Sequence, residues 1–173
     1  MESSDAPDAR LTAFGSQLVE VHDRLRGELA RLSDDVDAYL DGGTRPRDLR
    51  AHCLAFCAAL ERHHTGEDAG AFPALAERHP ELAPTLDKLR EDHWLVSGIL
   101  RRLQELAGGL GPETGDPREA QRVRGELDGL MAIVESHFRY EERSIVEALD
   151  ALNVPEWAGA PPAFLRAGTP TTP

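Results

Sequence analysis

The feature that most restricts this chain is a recurrence of apolar residues at spacings of three and four in four separate segments, divided by Gly/Pro-rich or polar stretches. Such spacing lines side chains along one stripe of a helix. The first segment, roughly residues 8–40, puts Leu11, Leu18, His22, Leu25, Leu29, Leu32 and Val36 on one face, and Asp41-Gly42-Gly43 ends it. Thr44 suits an N-cap and Pro46 a first turn, opening a second helix to about residue 79 with a kink expected at Pro73. Leu49, His52, Phe56, Ala59, Leu60, His63, Glu67 and Ala74 form its inward face. Beyond His79-Pro80 a third helix runs to about Ala107, with Leu82, Leu86, Leu89, His93, Val96, Leu100 and Leu103 inward. Residues 108–117 have a loop's composition, and the fourth helix covers about 118–152, with Leu130, Ile133, His137, Glu141 and Ala148 inward.

Short connections between long amphipathic helices favour an all-α, antiparallel, up-down-up-down four-helix bundle over residues 8–152. A length of 173 residues suits one such domain, and an aromatic content of 5% fits helices better than strands. Residues 153–173 form a Pro/Ala/Gly-rich tail, in which Trp157, Phe164 and Leu165 can pin part of the segment to the bundle while its end stays disordered. The formal charge of -12 leaves no broad basic field for nucleic acid or an anionic membrane. Met1 to Arg10 lacks the basic start and apolar stretch of a secretory signal, and no run of about 18 apolar residues follows, so a soluble cytoplasmic protein is expected. Cys53 and Cys57, four apart on one helix flank, read as packed thiols rather than a disulfide or zinc ligands.

The chemistry lies in the histidines. Three of the seven have a carboxylate four residues on: His63 with Glu67, His64 with Asp68, and His137 with Glu141. Residues four apart stand one turn above each other on the same face, so both can reach one metal cluster. In so acidic a chain that spacing alone is weak. Placement is stronger, because His22, His63, His93 and His137 each fall inside the apolar stripe of a different helix. Four inward histidines, two with a carboxylate one turn on, would leave many buried polar groups without partners unless they bind a metal. In the expected topology the second and fourth helices run parallel, so the two HxxxE pairs can face each other across the core. Each pair is also followed by a further carboxylate, Asp68 and Glu142.

The ordered set His, HxxxE, His, HxxxE, one element per helix, resembles the haemerythrin-like, or HHE cation-binding, family. Val21-His22-Asp23, Glu67-Asp68 followed by Phe72-Pro73, Glu91-Asp92-His93, and His137 through Glu142 are similar to that family's local patterns, and the likeness spans about residues 11–152. It implies two iron ions joined by carboxylates and an oxo or hydroxo group, with His22, His63, His93 and His137 as terminal ligands and Glu67 and Glu141 as bridges. Oxygen-carrying haemerythrins have a fifth histidine four residues after the third-helix ligand, where this chain has Ser97. The resemblance is therefore to the six-ligand branch. It points away from reversible oxygen carriage and leaves a position for solvent, peroxide or a phenol such as Tyr140, whose other reading is hydrogen bonding to the ligands or plain packing. Imidazole and carboxylate would also accept zinc or manganese, so iron rests on the resemblance.

Three further readings follow. His64, about 100° round the helix from His63, reads as a solvent-facing or interfacial residue, with exchange for His63 or a hydrogen bond to a ligand as alternatives. His79 reads as a helix-terminal residue. His52 and Glu126, each eleven residues before a ligand histidine and roughly 16 Å from the metals, are candidates for a hydrogen-bonded pair in a polar layer with Ser33 and Gln104. The expected function is a di-iron protein that binds or turns over dioxygen, peroxide or nitric oxide, with catalase-like peroxide removal as one such activity. An oxygen- or iron-sensing module read by a protein partner is one alternative. An oxidase or oxygenase acting on an organic substrate is another, with space left by Ala59, Gly70 and Ala74.

Overall fold

The inward positions follow a strict alternation of threes and fours. In α1 (Phe14–Leu40) they are Leu18, His22, Leu25, Leu29, Leu32 and Val36. In α2 (Leu49–Gly66) they are Leu49, Cys53, Phe56, Leu60 and His63, and Glu67 continues the series. The same rhythm runs from Leu86 to Ala107 in α4 (Ala83–Gly108) and from Ala120 to Glu141 in α5 (Pro117–Asp150). A period of 3.5 keeps a single seam facing the neighbouring helices. The computed structural model describes residues 13–42, 48–109 and 117–166. Leu11, Thr44, Pro46 and most of the 108–117 loop lie outside the described residues.

The helices form an antiparallel bundle in which α1 packs on α2 and α5, and α4 on α2 and α5. Ion pairs trace the direction: along α1, Arg26 meets Glu135 and Glu142, and further on Asp37 meets Arg124, so α5 descends as α1 climbs. Arg102 with Glu126 and His137 with Asp92 give the same sense for α4 and α5. The fold expectation therefore holds, with refinements at the second helix. There the disturbance takes the form of a π turn, Glu67–Ala71, followed by α3 (Phe72–Arg78) with Pro73 in its first turn. Proline cannot donate to the preceding turn, and an extra residue in the turn before it absorbs the mismatch. A short 3₁₀ turn, Pro80–Leu82, leads into α4.

The 3.5-residue rhythm also corrects the proposed polar layer. His52 and Glu126 sit one residue out of phase with the buried seam, beside Cys53 and Leu127. His52 is 63% exposed and faces Asp35, while Glu126 pairs with Arg102. They do not form a pair. For the same reason Ala59, Ile133 and Ala148 are only partly buried. Cys53 and Cys57 are buried free thiols, as expected, and the hydrogen bond with Cys53, together with burial, raises the Cys57 thiol above its ordinary range.

Two apolar clusters fill the bundle. One runs from Val21, Leu60, Val96 and Phe138 toward Leu32, Leu103 and Leu127; the other joins Phe14, Leu18, Phe72, Leu86, Ile145 and Leu149 to the tail. The tail forms α6 (Pro155–Gly159) and a 3₁₀ turn, Ala163–Leu165, whose Phe164 and Leu165 are buried, and Trp157 stands edge-on to both Phe14 and Phe164. The pinning expected of this segment is thus present. No described helix is long and apolar enough to cross a membrane.

The approach of α1 to α5 depends on Gly15. A Cβ there would run into the Val146 carbonyl and come 2.8 Å from Val146 Cγ1. Asp150 closes the same contact by accepting hydrogen bonds from the Gly15 and Ser16 amides at the exposed start of α1. Gly15→Ala should lower stability by about 1–3 kcal/mol, the usual cost of overpacking, measurable as an earlier midpoint in denaturant unfolding.

Candidate metal centre

Between the two apolar clusters lies a layer that holds every buried polar or charged side chain among the described residues: His22, His63, His64, Glu67, His93, His137 and Glu141. α1, α4 and α5 each bring one histidine to the layer, α2 brings two, and the π turn and α5 bring the carboxylates. The six residues expected as ligands are thus together in one place.

Their ring nitrogens meet in two pairs. His22 Nε2 stands 3.0 Å from His63 Nε2, and His93 Nε2 stands 3.1 Å from His137 Nε2. Glu67 lies between the pairs, with Oε1 3.0 Å from His63 Nε2 and Oε2 3.3 Å from His93 Nε2. Glu141 Oε2 spans them on the other side, 3.4 Å from His22 Nε2 and 3.5 Å from His137 Nε2. Despite these distances, no oxygen of Glu67 or Glu141 has an aligned hydrogen-bond partner, and both residues are fully buried. Burying carboxylates so poorly satisfied is costly unless a cation compensates them. A cation binding two imidazoles at about 2.0–2.1 Å each, as zinc does, draws neighbouring nitrogens to separations of this size.

The outer nitrogen of each of these four rings is held by an acceptor. His22 Nδ1 donates to Glu142 Oε1 at 2.9 Å, His93 Nδ1 to Asp68 Oδ1 at 2.9 Å, and His137 Nδ1 to Asp92 Oδ2 at 3.3 Å. His63 Nδ1 donates to the Phe164 carbonyl at 2.9 Å. A carbonyl can only accept, so Nδ1 of His63 carries the donated proton and Nε2 is the nitrogen turned to the centre. The second carboxylates of the repeated pattern, Asp68 and Glu142, therefore orient histidines on neighbouring helices. Arg26 in turn ties Glu142 at 2.9 Å.

The groups of the layer shift one another's titration. Burial alone would raise Glu67, but the imidazoles of His63, His22 and His93 outweigh it and hold the carboxyl well below its usual range. Burial likewise opposes charge on His22 and His93. Glu141, Glu142 and Glu67 nevertheless raise His22 well above the imidazole range, and Asp68 and Glu67 raise His93 to about 9. Each Nε2 pair thus contains one histidine held cationic. Burial keeps His64 and His137 on the low side.

One residue departs from its sequence reading. His64 is not solvent-facing: it is 4% exposed, its ring stacks on His93 at a centroid separation of 4.0 Å, and its Nε2 has no hydrogen-bond partner. Two groups of side chains have the spacing to hold a cation, His22, His63, Glu67 and Glu141 in one, and His64, Glu67, His93 and His137 in the other. Tyr140 packs, half-buried, against the apolar cluster that includes Phe14 and Phe72. Ser97 lines a cavity of about 310 Å³ with His64, Asp68, Arg90, His93 and Trp94. His79 ends α3 and pairs with Glu81, as its terminal reading required.

Sequence comparison agrees with this geometry. The family model described as hemerythrin HHE cation binding domain matches residues 15–149. No curated protein and no solved structure matches the chain.

Two outcomes follow. A cation must displace the protons held by His22 and His93, so its apparent affinity should fall as pH drops from about 9 toward 6; chelator competition at stepped pH measures this, with proton release on binding as a cross-check. Gly66→Ala would bring a Cβ 2.8 Å from the Phe164 backbone nitrogen and push the tail away. The loss of the carbonyl partner of His63 should weaken cation binding by about 10–100-fold while the helical circular dichroism is kept.

Proposed function

Because this chain belongs to the hemerythrin HHE cation-binding family, we propose that its core holds two iron ions and that the centre binds or turns over small oxidants. The single observation that supports this most is the pair of Nε2 clusters, at 3.0 and 3.1 Å, set around two buried carboxylates that lack hydrogen-bond partners. In this reading His22 and His63 hold one ion, His93 and His137 the other, and Glu67 and Glu141 lie between both. Two adjacent irons supply electrons to, or take them from, dioxygen, peroxide or nitric oxide without an organic cofactor.

The protein's own residues do the rest. Glu142, Asp68, Asp92 and the Phe164 carbonyl hold the Nδ1 protons and fix each ring, and the apolar clusters on either side keep bulk water from the layer. The 310 Å³ cavity that reaches His64 and His93 is lined by Glu61, Asp68 and Arg90 as well as Trp94, which suits small polar molecules. An extended organic substrate is less well served, because the Phe164 ring covers the Gly70 position at 3.9 Å.

A second reading, an iron- or oxygen-sensing module, draws support from one contact. The Phe164 carbonyl is bonded to His63, so a change at the metal would be felt by the tail. Slow turnover with a large difference in tail protection between the metal-bound and metal-free protein would favour it.

Protein loaded anaerobically with ferrous iron should retain two irons per chain, develop near-ultraviolet absorption on exposure to peroxide, and release dioxygen from peroxide. Glu67→Ala should drop the content below two irons and remove the response. One zinc or manganese per chain from the native host, with no spectral change on addition of peroxide, dioxygen or nitric oxide, would defeat the proposal.

A further inference from the structure

His64 is the one buried imidazole that the six-residue centre does not use. A fully buried ring with a nitrogen left unsatisfied is costly, and its Nε2 has no hydrogen-bond partner. The other four buried histidines each have their outer nitrogen held by an acceptor and their inner nitrogen turned to the carboxylates. His64 instead lies flat on His93, at 4.0 Å and 11°, and edge-on to His137, with centroids 5.1 Å apart. It also offers a ligand atom within 4.8 Å of those of Glu67, His93 and His137.

Adjacent residues on a helix diverge by about 100°, so His63 and His64 cannot easily serve one ion but can serve two. Their ring planes meet at 44° with centroids 5.6 Å apart, and they belong to different cation-competent groups. The π turn begins at Glu67, one helical turn after His63, and Glu67 is the one residue common to both groups. A π turn inserted at a functional site is a common way of re-aiming a side chain. Ser97 stands one turn beyond His93, where a longer side chain on α4 would face the same ion. Ser97, His64 and His93 all line the same cavity.

We propose that His64 is a fifth nitrogen ligand, supplied by α2 to the ion held by His93 and His137, in the place that a residue at position 97 of α4 would otherwise fill. This rests on the two-ion reading above and deepens it. The two ions then differ in their nitrogen donors: His64, His93 and His137 serve one, His22 and His63 with Glu141 the other, and Glu67 is common to both.

The test uses full-length protein loaded with ferrous iron under anaerobic conditions. X-ray absorption should count five imidazoles over two irons in the wild type. His64→Ala should lower the count to four and weaken one of the two irons by about tenfold or more in chelator competition, leaving the other unchanged. The double variant His64→Ala/Ser97→His should restore both the count and the affinity, which a merely packing role for His64 would not allow. Four imidazoles in the wild type, or two irons of unchanged affinity in His64→Ala, would overturn the assignment while leaving the two-ion centre standing. Fewer than two irons in the wild type would instead overturn the reading on which it rests. If His64→Ala does not fold, the wild-type imidazole count alone decides.

Discussion

Everything else in this bundle is arranged around two buried carboxylates. Glu67 and Glu141 are fully enclosed, and no oxygen of either has an aligned hydrogen-bond partner. Buried charge of this kind unfolds a small domain unless something positive stands against it. In this chain the imidazoles of His22 and His93 do, both raised by the carboxylates around them, and the four helices must meet in one register for the imidazoles to reach the carboxylates. The polar layer thus fixes which residues lie opposite which, a specificity that the two interchangeable apolar clusters on either side do not supply by themselves.

The register is reinforced from outside the layer. Each supporting carboxylate lies on a different helix from the ring that it holds: Asp68 of the π turn holds His93 of α4, Asp92 of α4 holds His137 of α5, and Glu142 of α5 holds His22 of α1. The circuit passes from helix to helix round the bundle, and at the point where it would return to α2 the tail supplies the Phe164 carbonyl instead. Orientation of the rings and packing of the helices are therefore the same set of contacts. Disturbing one ring disturbs an interhelical joint.

Much of this was legible in the sequence, for physical reasons that differ by residue. His22, His63, His93 and His137 stood out because each interrupts an apolar stripe, and Glu67 and Glu141 because a spacing of four stacks them one turn away. Spacing could not say where the stripe drifts. At 3.6 residues per turn His52 and Glu126 fall inward, but the seam keeps a 3.5 period, and eleven residues suffice to carry both to the surface. His64 was misread because one residue from His63 it belongs at the stripe's edge, yet here that edge is covered by His93, which stacks on it, and by His137. The Phe164 carbonyl had no signal at all, since a backbone oxygen carries no residue code. The doubled carboxylates, Glu67-Asp68 and Glu141-Glu142, were visible, but only the structure shows that the first of each pair faces inward and the second supports a neighbouring ring.

The two faces of the layer are consequently different environments. On the His63 side the tail lies against Gly66 and Gly70; at Gly66 only the absence of a side chain lets Phe164 approach, and its carbonyl closes over the ring. On the His93 side a cavity lined by charged residues opens beside the exposed Trp94. The tail contact lies beyond residues 15–149, the span shared with the family. The shared span thus accounts for a layer of histidines and carboxylates, while the difference between a covered and an open side comes from this chain's own Phe164. Access from one side with a protein-controlled ring on the other is the arrangement in which occupancy of the centre and position of the tail constrain each other.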